Sequence, residues 1–232
     1  HNQSACEEIA SRVLAAADSC SALPPLTDAD PNLDLLDAYR VAAAVTKLPS
    51  ARGERPVGWK IGFTNTTIWD EYGVHAPIWG PMYDTTVASG DPASGALACP
   101  IARLLEPRIE PEIAFRIGAV PHPDMDEEEL LSCVDAVAHG FEIVQSVFPA
   151  WRFRAADTVA AFALHGCYRH GPFVAIEHER RDVWLAALRR FEITLLRDRV
   201  EIDRGVAANV LEGGPLAALR HFVEGMPRYS PD

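Results

Sequence analysis

The sequence RIEPEIAFRIG, residues 108–118, decides how the chain folds around its acidic residues. Apolar residues such as Ile109 and Ile113 alternate with other residues, which is typical of a half-buried β-strand. Glu110 and Glu112 are two positions apart, and side chains two apart on a strand point to the same face. The sequence therefore predicts a strand that directs two carboxylates to one place beside apolar surface.

A third carboxylate, Glu142, occurs in the stretch AHGFEIVQS, whose apolar residues indicate a second buried strand. Three carboxylates in apolar strands lose hydration and repel one another, so each is costly when left unpaired. A divalent cation such as Mg²⁺, which prefers oxygen ligands, would remove that cost. The alternative is a polar strand edge that faces solvent or pairs with Arg108 and Arg116, and the residues alone leave both interpretations open.

The stretch GWKIGFTN places Lys60 between Trp59 and Ile61 in a predicted strand. A lysine in an apolar strand needs a counter-charge or a function. The alternative is an edge strand from which the long side chain extends its ammonium group to solvent. Asp84, at the end of GPMYD, is a candidate base or a partner for Lys60, although taken alone it is a turn residue.

Two histidines, His165 and His170, flank the stretch GCYR and are candidates for a nearby site. A single histidine is more often structural than functional, so both interpretations stay open. Phosphate-binding glycine loops, zinc-protease motifs and Ser/His/Asp arrangements are not found in the sequence.

The chain carries 33 acidic and 21 basic residues among 232, for a formal net charge of −12. This balance argues against nucleic acid and against an anionic membrane as partners. A small anionic substrate stays possible where a metal or a basic group reverses the local field. Five widely spaced cysteines without a C-x-x-C pair, and the lack of a signal-like or membrane-spanning apolar run, predict a cytoplasmic protein.

The composition changes near residue 50. Residues 1–50 form a predicted N-terminal helical segment, and residues 51–232 form a predicted β-rich catalytic domain, which together indicate an α+β fold. We predict helices at 5–18, 33–47, 65–73, 126–137, 155–163 and 215–225. We predict strands at 57–63, 80–89, 107–118, 138–146, 166–175 and 188–202.

Five stretches occur in a familiar order and spacing: VGWKIGFTN, GPMYD, RIEPEIAFRIG, HGFEIVQS and AADTVAAFALHG. Together they resemble the 2-keto-4-pentenoate hydratases, within the fumarylacetoacetate hydrolase superfamily. The resemblance runs from about residue 5 to residue 222. It implies a strongly curled mixed β-sheet core with an N-terminal helical segment. It also implies Mg²⁺ or Mn²⁺ held by Glu110, Glu112 and Glu142, with Lys60 and Asp84 as catalytic residues.

The same resemblance implies a small anionic 2-oxo acid as substrate and a homo-oligomeric enzyme that adds water to a 2-hydroxy-2,4-dienoate. It implies substrate contacts from Trp59, Ile61, Gln145 and Thr158. The chain differs from many family members around residues 145–147 and 156–160. The resemblance also implies that the C-terminal part of the family fold is short or missing, either in the protein itself or only in these 232 residues. The alternatives are therefore a 2-oxo acid decarboxylase, an acylpyruvate C–C hydrolase, and a non-catalytic partner subunit.

Overall fold

The structure is a computed structural model that describes residues 1–90 and 96–229 of the chain. Its helices are α1 (Gln3–Asp18), α2 (Leu26–Ala29), α3 (Leu35–Ala51), α4 (Trp69–Tyr72), α5 (Glu127–Ser132), α6 (Ala155–Ala160), α7 (Arg181–Leu188) and α8 (Pro215–Tyr229). Its strands are β1 (Pro56–Gly62), β2 (Ile78–Tyr83), β3 (Val87–Ser89), β4 (Arg108–Ile117), β5 (Val134–Val144), β6 (His165–His170), β7 (Val174–Ala175), β8 (Glu192–Arg197) and β9 (Val200–Val206).

The two long N-terminal helices begin at side-chain caps. The side chain of Asn2 accepts a hydrogen bond from the backbone N–H of Ala5, and the side chain of Asp34 caps α3 in the same way. Their apolar faces share one core with α6 and β2, which includes Val13 and Trp79. The helical segment is therefore packed against the rest of the chain, and its treatment as a separate unit ending at residue 50 stays a prediction.

The main sheet has five strands with β5 inside it. Strand β4 pairs antiparallel with one side of β5, β6 and β7 pair with the other side, and β3 pairs parallel with β6. Most residues of β5 are buried, as expected for a strand with neighbours on both sides. Two separate hairpins, β1–β2 and β8–β9, complete the strands of the described residues.

The predicted α+β class is confirmed, but a single strongly curled sheet is not supported. Within residues 1–90 and 96–229 the strands fall into three sheets of two, five and two strands, and none of these sheets is closed. The prediction of one strand at 188–202 is wrong. Helix α7 extends to Leu188, and most of the other residues of that range belong to the β8–β9 hairpin. Asp198 and Arg199 turn that hairpin with φ values of 52° and 68°, a backbone geometry that sequence patterns rarely reveal. The predicted strand at 80–89 divides in a similar way into β2 and β3.

The two faces of β4 have different environments. Ile113 and Phe115 pack against an apolar cluster that includes Leu131 of α5 and Leu216 of α8. The opposite face carries Glu110 and Glu112, because side chains alternate along a strand. One strand therefore supplies core packing on one side and charged groups on the other.

No helix in the described part of the chain has the length and the apolar character needed to cross a membrane.

Asp157 connects α2 to α6 at a fully buried position. Its carboxylate accepts hydrogen bonds from the backbone N–H and the hydroxyl of Thr27, at 2.9 and 2.8 Å, and from the backbone N–H of Arg154 at 2.7 Å. Asp157→Ala leaves buried donors unpaired at about 1–3 kcal/mol each, so we expect a loss of roughly 2–4 kcal/mol in the free energy of unfolding. Urea unfolding measures the change. The exposed Asp182→Ala is the control, and equal stability of the two variants would contradict the structural role.

Candidate metal centre and active site

Three glutamates converge on one face of the main sheet. Glu110 of β4 lies directly opposite Glu142 of β5, and Glu112 follows two residues after Glu110 on the same face. One carboxylate oxygen from each residue lies within 4.8 Å of the others. The predicted convergence of Glu110, Glu112 and Glu142 is therefore present in the structure.

Lys60 reaches this group from the separate β1–β2 hairpin. Its Nζ lies 2.8 Å from Oε2 of Glu142, and both side chains are almost fully buried. The other carboxylate oxygen of Glu142, Oε1, lies 2.7 Å from Nδ1 of His165. Nε2 of that ring lies 2.8 Å from the hydroxyl oxygen of Thr86. Glu142 is thus held from both sides, and Lys60 is a buried ion-pair partner rather than a solvent-facing lysine.

His165 reaches the carboxylates because β6 contains a bulge. The pairing register shifts between Ile143 and Val144, so that His165 and Tyr168 both lie opposite residues on the acidic face of β5. Residues three apart on a regular strand would point to opposite faces. Gly166 permits the bulge, since a Cβ at this position would lie 2.5 Å from the backbone oxygen of Ile143. The sequence named His165 as a candidate for a nearby site, but it predicted neither the bulge nor the contact with Glu142.

The protonation of these groups follows from burial and mutual repulsion. Burial raises the pKa of Glu112, and the charges of Glu142 and Glu110 raise it further, well above its usual value. Burial also raises the pKa of Glu110, against the opposing effect of Lys60. Burial acts in the same direction on Glu142, but Lys60 and His165 outweigh it and lower the pKa of that carboxyl group.

Lys60 stays charged in this environment. Burial by itself would lower the pKa of its ammonium group, but the charge of Glu142, followed by those of Glu110 and Glu112, raises it. With all three carboxylates ionised, one ammonium group would leave an excess of negative charge in a buried place, and this is why the pKa values of Glu110 and Glu112 are raised without a cation. This donor set of clustered carboxylate oxygens fits a divalent cation such as Mg²⁺, Mn²⁺ or Ca²⁺.

A buried hydroxyl group beside the carboxylates has no hydrogen-bond partner. Tyr168 lies opposite Glu142 in the sheet, is 5% exposed, and its hydroxyl contacts no donor or acceptor among the described residues. Burial, together with the charges of Glu112 and Glu142, raises the pKa of Tyr168, so the phenol stays protonated. Its hydroxyl lies over Gly140, where a Cβ would be only 2.7 Å away. A buried donor needs a hydrogen-bond partner, which a water molecule or a ligand on the acidic face would supply.

A small cavity of about 60 Å³ opens beside Lys60 and Glu110. It adjoins a larger, more open cavity of about 440 Å³. Tyr72, Arg108 and Trp151 line both cavities and form the wall between them.

The backbone around these cavities is strained. Left-handed backbone costs about 1–2 kcal/mol for a residue other than glycine, and such strain concentrates at functional sites. Five such residues line the two cavities with φ between 50° and 63°: Phe63, Ala150, Trp151, Ala163 and Leu164.

Asp84 lies away from the carboxylates, at the end of the β1–β2 hairpin. Its carboxylate accepts hydrogen bonds from the backbone N–H of Arg55 at 3.0 Å and from Nε of the same residue at 2.9 Å. The partner of Lys60 is Glu142, so the predicted pairing of Asp84 with Lys60 is not present. The reason is the register of the hairpin, in which Lys60 lies opposite Gly80 rather than beside its end.

The four predicted substrate contacts also do not line the two cavities. Trp59 is 47% exposed and packs on Phe222, and Ile61 shares its strand face, which is opposite to that of Lys60. Gln145 accepts a hydrogen bond from the backbone N–H of Leu105. The hydroxyl of the buried Thr158 donates to a backbone oxygen within α6. These contacts support packing roles, and substrate binding by the four residues stays a prediction.

The chain is similar over most of its length to enzymes that are named as hydratases. It is 34% identical over 227 residues to 2-keto-4-pentenoate hydratase of Paraburkholderia xenovorans (strain LB400), which covers 96% of this chain and 78% of that protein. The chain belongs to the 2-keto-4-pentenoate hydratase family. This confirms the resemblance drawn from the sequence stretches, although no family model matches the chain.

Two further similarities extend the comparison. The chain is 35% identical over 158 residues to 2-hydroxyhexa-2,4-dienoate hydratase of Comamonas testosteroni. This match covers 68% of the chain and 59% of the relative, so the chain spans less than two thirds of that protein. Its fold matches 4-oxalocrotonate decarboxylase from Pseudomonas putida G7, solved with magnesium and adipate, with a TM-score of 0.85. That match covers 100% of this chain and 84% of the other at 21% identity, so it shows a shared fold.

Glu112→Gln tests the metal centre through stability. The raised pKa means that the Glu112 carboxyl stabilises the metal-free fold while protonated, and that this stabilisation is lost as the pH rises through the raised value. Glutamine resembles the protonated form, so we expect the metal-free variant at pH 8 to be at least as stable as the wild type. Mg²⁺ at 100 times its Kd adds about 2.7 kcal/mol to the wild type, and the variant should lose most of this gain.

Thermal unfolding with and without Mg²⁺ measures both effects. The exposed Glu128→Gln is the matched control and should keep the full response to Mg²⁺. An undiminished response to Mg²⁺ in Glu112→Gln would contradict the assignment.

Proposed function

We propose that the protein is a metal-dependent hydratase that adds water to a 2-hydroxy-2,4-dienoate or to its 2-oxo-4-enoate tautomer. The observation that carries the proposal is the convergence of Glu110, Glu112 and Glu142 around the buried ammonium group of Lys60, beside a cavity. Membership of a family whose relatives are named as hydratases supports the same reaction.

We assign Mg²⁺ or Mn²⁺ to the three carboxylates. A bound divalent cation would supply Lewis acidity that lowers the cost of negative charge at the 2-oxo acid end of the substrate. The carboxylates hold the cation, and the excess negative charge they carry makes the site selective for cations over neutral ligands. The substrate acid is then accepted despite the acidic character of the whole protein.

Lys60 acts as an electrostatic stabiliser in this proposal. Its raised pKa keeps it protonated at neutral pH, so it favours negative charge that develops on the substrate rather than removing a proton. Glu142 fixes the position of the ammonium group, and His165 fixes Glu142 in turn. This preorganisation means that the charge does not have to move during the reaction.

Water addition also requires a proton donor and a proton acceptor. Tyr168 is a buried hydroxyl donor on the acidic face, and its raised pKa keeps the phenol protonated, so that it can donate a hydrogen bond to an oxygen of the bound substrate or water. Asp84 was predicted as a catalytic residue, but its contacts are with Arg55, and its role as a base stays a prediction.

The competing reactions have less support. A C–C hydrolase of the superfamily is expected to activate water with a histidine–glutamate pair in the N-terminal part, and the sequence has no histidine between Arg52 and Thr67. A non-catalytic subunit would not need a buried lysine held among three glutamates, because each buried charge costs stability. The predicted homo-oligomer and cytoplasmic location stay predictions.

Lys60→Met separates the catalytic role of this lysine from metal binding. We expect kcat/KM to fall by about 10² or more, the scale of losing one electrostatic stabiliser. Mn²⁺ affinity should stay the same or increase, because the substitution removes a positive charge next to the metal ligands. Steady-state kinetics and calorimetry measure the two quantities. Lys47→Met, at the only other lysine of the chain, is the exposed control, and wild-type turnover by Lys60→Met would contradict the role.

The reaction itself is tested with 2-hydroxypenta-2,4-dienoate and Mg²⁺. We expect the ultraviolet absorbance of the substrate to disappear as water adds and conjugation is lost. Solvent ¹⁸O should appear in the C4 hydroxyl group of the product, which mass spectrometry detects. Release of CO₂ from an oxo-diacid without ¹⁸O incorporation would indicate the decarboxylase instead, and cleavage of an acylpyruvate would indicate the hydrolase.

A further inference from the structure

The hydroxyl group of Thr86 begins a chain of hydrogen bonds that ends at the candidate metal centre. Its oxygen lies 2.8 Å from Nε2 of His165, and Nδ1 of the same ring lies 2.7 Å from Oε1 of Glu142. Nζ of Lys60 lies 2.8 Å from the other carboxylate oxygen of Glu142. His165, Glu142 and Lys60 are buried, so the direction of each hydrogen bond depends mainly on the groups in the chain themselves.

The contact with Glu142 determines which nitrogen of the His165 ring carries the proton. A neutral imidazole has a proton on one nitrogen and a lone pair on the other. Glu142 is paired with the ammonium group of Lys60, and an ionised carboxylate can only accept hydrogen bonds. A ring proton on Nε2 would set a lone pair of Nδ1 against the carboxylate across 2.7 Å. The proton therefore belongs on Nδ1, and Nε2 needs a donor.

The hydroxyl proton of Thr86 has two acceptors within reach. They are Nε2 of His165 at 2.8 Å and the backbone oxygen of Tyr83 at 3.1 Å. That backbone oxygen already accepts a hydrogen bond from the backbone N–H of Thr86 at 2.9 Å. Nε2 has no other donor within hydrogen-bond distance among the residues that the structure describes. The shorter contact and the unmet lone pair both favour donation from Thr86 to Nε2.

The main sheet fixes the position of Thr86. The residue lies in the turn between β2 and β3. Its backbone oxygen accepts hydrogen bonds from the backbone N–H of Tyr168 and from Nη1 of Arg169, both at 2.9 Å. Tyr168, Arg169 and His165 all belong to β6, so the donor and the ring that it contacts are held by the same strand. A donor fixed in this way restrains the orientation of the ring.

We infer that Thr86 is a positioning residue of the metal centre: its hydroxyl group donates to Nε2 of His165 and holds the ring with its Nδ1–H against Oε1 of Glu142. The carboxylate is then fixed by His165 at one oxygen and by Lys60 at the other. Thr86 acts on the metal ligand only through His165. This inference rests on the proposed function, which assigns a divalent cation to Glu142, but the hydrogen bond itself is measured without reference to the reaction.

Heteronuclear NMR of the Mg²⁺-loaded protein with ¹⁵N-labelled histidines measures the hydrogen bond directly. The ring resonances of His165 are assigned by their absence from His165→Asn. We expect Nδ1 to be protonated and Nε2 to be unprotonated in the wild type. Thr86→Val removes the hydroxyl group and keeps the branched shape, so the Nε2 resonance should move downfield as its donor is lost. Thr86→Ser keeps a hydroxyl group and should restore the wild-type shift.

Calorimetry with Mn²⁺ measures the consequence for the metal ligand. Thr86→Val should lower Mn²⁺ affinity by about tenfold, as expected when a group that orients a metal ligand is lost, and Thr86→Ser should recover most of it. The neighbouring Thr85 is the matched control, because it is exposed and its hydroxyl donates to Glu54 at 2.5 Å. Thr85→Val should keep both the wild-type Nε2 shift and the wild-type Mn²⁺ affinity.

A double-mutant cycle separates action through His165 from a general effect on the fold. The side-chain amide of His165→Asn can place its nitrogen near the position of Nδ1, so it offers Glu142 a donor that does not depend on Thr86. Thr86→Val should therefore change Mn²⁺ affinity by less than about twofold in the His165→Asn background. A tenfold loss that persists in that background would overturn the positioning role.

A protonated Nε2 in the wild type would overturn the role of Thr86 and leave the proposed function intact, and this measurement needs no variant of Thr86 to fold. Undiminished Mn²⁺ affinity in Thr86→Val would also overturn the role. Failure of the wild type to bind Mn²⁺ would overturn the proposed function itself, and the positioning role with it.

Discussion

The ion pair between Lys60 and Glu142 is the interaction on which the site depends. It joins the β1–β2 hairpin to the main sheet, and these two sheets share no strand pairing. Both groups are buried, and either one alone would be an uncompensated charge away from water. Their attraction offsets the cost of burying the two charges only when the groups are close together. The position of the hairpin over the sheet therefore also determines the protonation of Lys60 and Glu142.

The pair leaves the site with unbalanced charge. One ammonium group faces three glutamates, and burial together with mutual repulsion raises the pKa values of Glu110 and Glu112. Such an arrangement is unfavourable in the absence of a ligand. Local instability of this kind is expected at a functional site, because the rest of the fold holds the site in place. The left-handed residues around the cavities and the unpaired hydroxyl of Tyr168 are further local costs at the same place.

The distribution of charged side chains fits the proposed binding of an acidic substrate by an acidic protein. Three glutamates cluster at the candidate metal centre, and three arginines, Arg108, Arg152 and Arg154, line the adjoining cavity. Arg108 and Glu110 share a single strand face, since residues two apart are neighbours there. The net charge of −12 therefore does not describe the site, where a basic and an acidic side chain lie two positions apart on β4.

The sequence by itself determined the parts of the protein that depend on short-range patterns. Alternation along residues 108–118 correctly placed Glu110 and Glu112 on one face, and helical spacing correctly located α1 and α3. The α+β class and the family also followed from the sequence. In contrast, the turn at Asp198 depends on backbone geometry that side-chain patterns do not encode, so the β8–β9 hairpin was predicted as one strand.

Only the tertiary structure decided which residues meet across the sheets. The bulge at Gly166 brings His165 to Glu142, and the register of the β1–β2 hairpin separates Asp84 from Lys60. Both outcomes depend on pairing between distant segments, and a shift of one residue reverses the face to which a side chain points. The same reason explains why the partner of Lys60 is Glu142, 82 positions away in the numbering, rather than the nearer Asp84.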